Sequence, residues 1–188
     1  MLLDNGIFFA SGSVVWNLQS TDKFDAIREV IHHTPVFRTV DGLDLERLEE
    51  TVIARENLQS TGFGHGVAIA HGRTRDIDGP RIALGVSRKG IEFQSIDGKM
   101  VHLLFVVATH PSMPMDYLQI LSSLVSLVRN EMFRGELLGC SCADDVEQKL
   151  RRAFYTAMLQ VKEKSAEVEN RGNRNRSDGA RTSFAAAT

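Results

Sequence analysis

Cysteine is scarce in this chain, with Cys140 and Cys142 as its only two. One residue separates them, a spacing that suits neither a disulfide framework nor a complete four-ligand zinc site, so both read as reduced structural cysteines. Long apolar runs are lacking too. The stretch Leu103–Ala108 falls far short of the roughly 20 apolar residues that a membrane-spanning helix requires. The opening segment Met1-Leu2-Leu3-Asp4-Asn5-Gly6 has an acidic residue and no Lys or Arg before the first apolar run. It therefore lacks the basic n-region of a secretory signal, and the expectation is a cytoplasmic protein with no direct membrane insertion. There is no surplus of either charge: 22 Lys and Arg face 24 Asp and Glu, for a formal net charge of −2. Such a balance gives no general electrostatic reason to bind nucleic acid or anionic membranes. No internal repeat, His-x-x-x-His element or paired Cys-x-x-Cys element occurs, so a metal site built from His65, His71 and His110 has no ligand motif behind it, and no cofactor is expected.

At 188 residues, with 43% hydrophobic and 24% charged, the chain is long enough to bury one substantial core. Phe24, Ile27 and Ile31 recur at helical spacing after Thr21-Asp22, and Leu45, Leu48, Val52 and Ile53 do so after Asp44. The pair His32-His33 closes the first of these helices, where cationic side chains complement the dipole. Val67–Ala70, Arg81–Val86 and Val101–Ala108 read as strands, with Lys89-Gly90 and Asp97-Gly98 as turn signals between them. From Asp116, which suits an N-cap, Tyr117, Ile120, Leu121, Leu124, Val125 and Val128 form an apolar helical stripe. Ser141-x-x-Asp144 resembles a capping box before a second stripe of Val146, Leu150, Phe154, Met158 and Val161. Alternating helices and strands predict an α/β layered domain over residues 1–160. Residues 161–188 turn to Glu, Asn, Arg, Ser and Gly without apolar periodicity, so they read as a polar, disordered tail that cannot offset its ordering entropy.

The run Ser60-Thr61-Gly62-Phe63-Gly64-His65-Gly66-Val67-Ala68-Ile69-Ala70-His71-Gly72 sets a glycine-rich loop before a short apolar strand that ends on a histidine. Glycines at 62, 64 and 66 permit positive φ and let backbone N–H groups approach an anion. Their spacing is not the Gly-x-Gly-x-x-Gly of a dinucleotide fingerprint. With a reference pKa of about 6.5, the His71 imidazole is largely neutral at neutral pH and able to accept a phosphoryl group. A guanidinium such as Arg55 can make two parallel hydrogen bonds to phosphoryl oxygens, although a surface pairing with a carboxylate is its alternative reading. Thr61 can face a phosphate or cap a turn. Arg73 adds positive charge near the histidine.

These residues together resemble the type-2 EIIA domain of the bacterial phosphotransferase system (PTS), the fructose, mannitol and nitrogen-regulatory IIA family. Its hallmark is an Arg-Glu pair, a Ser-Thr-Gly-x-Gly stretch and an apolar strand ending in Pro-His; here Arg55-Glu56, Ser60-Thr61-Gly62-Phe63-Gly64 and Val67–His71 stand in those places. The similarity runs over roughly residues 5–155. It implies a single layered domain in which helices flank a mixed β-sheet on both faces. It further implies that His71 is the phosphoacceptor, fed by an HPr-type phosphocarrier protein, and that Arg55 clamps the phosphoryl group. Thr61, Gly62, Gly64, His65, Arg73 and Tyr117 would support the phosphate.

Three positions depart from the family pattern. Ala70 replaces the proline before the active histidine, removing a fixed φ but no chemical group. Tyr117 stands where many members carry a second histidine, and tyrosine cannot become a cation at neutral pH. His65 occupies a loop position where Asn or an acidic residue is commoner. The implied function is a IIA phosphocarrier that passes phosphate to a sugar-specific IIB domain or acts as a nitrogen-type regulator of target proteins. The sequence shows no fused IIB module or permease segment, which favours the regulator. The alternative is a non-phosphorylated interaction module with a degenerate IIA site.

Overall fold

A computed structural model describes Phe9 and residues 11–184, with side chains to residue 164. In chain order the elements are β1 (Val14–Trp16), α1 (Lys23–His33), α2 (Pro35–Arg38), α3 (Leu45–Leu58), β2 (Gly62–Gly64), β3 (Val67–Arg73), β4 (Arg81–Ile91), β5 (Val101–Thr109), α4 (Pro114–Arg129), α5 (Glu131–Leu138) and α6 (Ala143–Phe184). The strands form one mixed sheet in the order β1-β4-β5-β3-β2. β1 runs parallel to β4 and β3 parallel to β5, whereas β4 with β5 and β2 with β3 are antiparallel.

Each face of the sheet carries its own core. Val67, Ile69, Leu103, Phe105 and Val107 pack with Ile120 and Leu124 of α4 and Leu150 and Phe154 of α6. The alternate residues Ala68, Ala70, Leu104, Val106 and Ala108 pack with Ile27 and Ile31 of α1 and Leu48 and Val52 of α3. Because helices cover both faces, the central strands are apolar at successive positions, and this is why they read as continuous runs. The expected fold class, a mixed sheet flanked by helices on both faces, is the one observed.

Asp22 caps α1 by accepting the N–H groups of Phe24 and Asp25, and Asp44 caps α3 through the N–H of Arg47. At the end of α1, His32 Nε2 lies 2.9 Å from a Glu49 carboxylate oxygen and His33 Nδ1 2.9 Å from the Glu29 carbonyl.

Other local expectations need correction. Asp116 is not the N-cap of α4: Pro114 already occupies the first turn, where its fixed φ suits helix entry, and Asp116 follows within that turn. Lys89-Gly90 does not end a strand, for it lies within β4, where the register shifts between Val86 and Ile91 and Gly90 takes φ +87°. Asp97-Gly98 is a turn, with Gly98 at φ +66° and its N–H donated to the Ser95 carbonyl at 2.9 Å. Part of the expected glycine loop is itself a strand, β2. The strand carrying the histidine continues past Ala70 to Arg73, because β5 is long enough to pair His71, Gly72 and Arg73 with Val107, Ala108 and Thr109. The backbone of α6 is helical to Phe184, beyond the residue-160 boundary, and among its described side chains Ala157 and Met158 are the last buried ones. Residues 185–188 of the expected tail lie outside the described residues. Among the described residues, no helix is long and apolar enough to cross a membrane.

Candidate functional site

The parallel strands β3 and β5 end side by side, with Arg73 opposite Thr109. His71 is two residues before that end. Side chains alternate along a strand, so His71 and Arg73 point to one face with Ile69, and Gly72 points to the other. Gly72 sits beneath α3: a Cβ there would meet Thr51 Oγ1 and Val52 Cγ2 at 2.7 Å each and the Val52 backbone N at 3.1 Å. That close approach brings the following turn of α3, which carries Arg55 and Glu56, alongside the histidine. From the opposite layer α4 contributes Tyr117, whose ring centroid lies 5.3 Å from that of His71 at an interplanar angle of 55°. The Arg73 guanidinium carbon stands 5.6 Å from the centroid of the same Tyr117 ring.

The backbone fixes the histidine tautomer. His71 Nδ1 lies 3.2 Å from the Ile69 carbonyl oxygen, which can only accept, so Nδ1 carries the proton and Nε2 keeps its lone pair. Among the described residues, Nε2 has no hydrogen-bond partner. Partial burial pushes the His71 pKa below its ordinary 6.5; the Ile69 hydrogen bond and the Glu56 charge pull upward, while Arg55 and Arg73 push further down. The Tyr117 phenol is raised above 10.0 by burial, against the opposing pull of Arg55 and Arg73. Both guanidinium groups therefore act electrostatically on both rings. Arg55 donates Nη1 to the Gln59 carbonyl at 3.0 Å, and neither Arg55 nor Arg73 pairs with a carboxylate among the described residues.

Glu56, 1% exposed, is committed elsewhere. It accepts the Thr61 hydroxyl at 2.6 Å and the Thr61 N–H at 3.0 Å, and Lys23 Nζ lies 3.4 Å from its other oxygen. The Thr61 hydroxyl thus points to this buried carboxylate. The Thr61 carbonyl accepts the Ile69 N–H at 3.3 Å, and the Ile69 carbonyl holds His71, so Thr61 supports the histidine through one intervening residue.

The rest of the glycine run lies away from His71. Gly64 pairs with Val67, four residues before the histidine, which at strand rise is about 13 Å. Gly64, at φ +98°, and His65, at φ +59°, lie against Asp97, whose carboxylate accepts the His65 N–H at 2.9 Å. The Gly62 N–H is taken by Ser60 Oγ at 3.2 Å. The structure therefore brings together His71, Arg55, Arg73 and Tyr117, with Thr61 one step behind, and leaves Gly62 and Gly64 in the neighbouring strand β2 and His65 in the turn after it. Sequence reasoning missed the Ile69 carbonyl and the role of Glu56 as the anchor of Thr61. Only the adjacency of Arg55 and Glu56 in the chain hinted at the latter.

The chain matches the family model described as phosphoenolpyruvate-dependent sugar phosphotransferase system, EIIA 2, over residues 7–153. It is 32% identical over 130 residues to a PTS system fructose-specific EIIABC component of Bacillus subtilis, covering 69% of this chain and 20% of that longer relative. A nitrogen regulatory protein of Pseudomonas aeruginosa is 30% identical over 113 residues, which are 60% of this chain and 73% of the relative. The crystal structure of nitrogen regulatory protein IIA-Ntr from Neisseria meningitidis superposes with a TM-score of 0.67 at 28% identity, covering 74% of this chain and 93% of that one. With the family model matching most of the chain and the fold shared with a IIA-Ntr structure, this chain belongs to the type-2 EIIA family of the phosphotransferase system.

Proposed function

We propose that this protein is a IIA phosphocarrier that accepts a phosphoryl group on Nε2 of His71 from a phosphorylated HPr-type protein. One observation carries the reading: Nδ1 is occupied by the Ile69 carbonyl beside two guanidinium groups with no carboxylate partner among the described residues. In the transfer, the Nε2 lone pair forms the new P–N bond in line as the donor P–N bond breaks, and the donor imidazole keeps the departing electron pair. Arg55 neutralises charge on the equatorial phosphoryl oxygens, and Thr61 holds the strand that carries the histidine. Relatives named as a fructose-specific PTS component and as a nitrogen regulatory protein both match, so onward transfer to a IIB domain and regulation of target proteins by the phosphorylation state are the two outlets of the same cytoplasmic chemistry. The same reading takes the IIA domain as residues 1–160; Ala157 and Met158, the last buried ones among the described side chains of α6, support that boundary.

Incubation with enzyme I, HPr and labelled phosphoenolpyruvate tests this directly. Acid-labile, base-stable label is expected on the wild type and lost in His71→Ala with the fold intact. Absence of label on the wild type would favour the second reading, an interaction module with a degenerate site, for which Tyr117 in place of a second histidine is the motivating observation.

A further inference from the structure

Resting on that reading, we propose that Arg73, held against the face of Tyr117, is the second permanent cation of the phosphoryl site, so that an arginine on a tyrosine shelf fills the role open to a second imidazole. Arg73 follows His71 by two strand positions and so shares its face. Its guanidinium lies 5.6 Å from the Tyr117 centroid, within the range in which a cation is attracted to an aromatic face. Tyr117 in turn lies 5.3 Å from the His71 ring, which gathers cation, shelf and nucleophile into one cluster. Among the described residues Arg73 has no carboxylate partner, and the nearby carboxylate of Glu56 is engaged by Thr61 and Lys23. A guanidinium parked on a ring and unpaired by any acid is available to an incoming phosphoryl dianion.

The arrangement has a consequence for pH. The groups facing His71 are Arg55 and Glu56 from α3, Arg73 from β3 itself and Tyr117 from α4. A guanidinium stays charged throughout the working range, whereas an imidazole in its place would lose its charge near neutrality. Charge on the phosphoryl oxygens is thus matched at pH 8 as well as at pH 6.

The test uses the full chain with phosphoramidate as a small phosphoryl donor and follows phosphohistidine by 31P NMR at pH 6 and pH 8. Arg73→Gln is expected to slow labelling of His71 about tenfold to a hundredfold at both pH values, the loss of one charge-assisted contact. Tyr117→Ala, which removes the aromatic shelf, is expected to slow labelling as Arg73→Gln does. The double variant Arg73→Gln with Tyr117→His is expected to regain rate at pH 6 and lose it at pH 8, a pH profile that a purely structural role for Arg73 would not produce. Thermal unfolding of each variant identifies any that fails to fold. Wild-type labelling that survives unchanged in a folded Arg73→Gln protein would overturn this inference and leave the His71 assignment standing. Failure of the wild type to label at all would instead overturn the assignment on which the inference rests.

Discussion

At the scale of single residues, the site works through what each side chain is prevented from doing. His71 is held to one tautomer by a carbonyl two residues earlier, and among the described residues Arg55 pairs with no acid, its neighbour Glu56 being bound to Thr61. Arg55→Lys keeps the charge but loses the planar fork, so the rate of phosphotransfer should fall by about one to two decades, for a contact of about 1.5–3 kcal/mol made mainly in the transition state. Rapid-quench transfer rates and a melting curve on the same variant check this, and the melting temperature should hardly move. The depressed His71 pKa also has a stability consequence. Between the lowered folded value and the ordinary 6.5 of the unfolded chain, the unfolded state binds more protons, so His71 withdraws stability as pH falls through that window and contributes no such penalty above it. His71→Gln should therefore flatten the acid limb of stability below about pH 6.5, as measured by urea unfolding across pH.

At the scale of elements, the contact between α3 and β3 decides where Arg55 and Glu56 stand. Only glycine fits at position 72, because an added Cβ would meet both the side chain and the backbone of Val52. Gly72→Ala should cost about 1–3 kcal/mol in equilibrium unfolding and should also slow phosphotransfer, since α3 must lift from the strand that carries His71. The longer elements were legible in the sequence because their signals are local: Asp22 and Asp44 cap the helices they precede, and the stripe from Ile120 to Val128 faces the core. The short elements were not. β1 and β2 have three residues each and α2 has four, too few to show a period, and they exist because neighbouring strands and Pro35 supply the geometry. α5 offered only Asn130, which accepts the N–H of Phe133, as a start signal.

Across the whole molecule, the sheet order places the ends of β3 and β5 together and lets α3 and α4 reach the same point from opposite faces. The sequence pattern named His71, Arg55, Arg73 and Tyr117 from their spacing and family likeness, and the fold brings all four together. It could not show that the glycines fold away from the histidine, because the hairpin of β2 and β3 and the Asp97 contact that holds it depend on residues distant in the chain. Nor could it name the acceptor for His71 Nδ1, a backbone carbonyl that every residue possesses. The central claim is that phosphate arrives on Nε2 of His71 because Nδ1 is already occupied. Two-dimensional NMR correlating 31P with the ring nitrogens of 15N-histidine-labelled protein, after phosphorylation by enzyme I and HPr, measures this directly: a single phosphohistidine joined through Nε2 of His71 is the predicted result, and phosphorus joined through Nδ1, or carried on His65 instead, would contradict it.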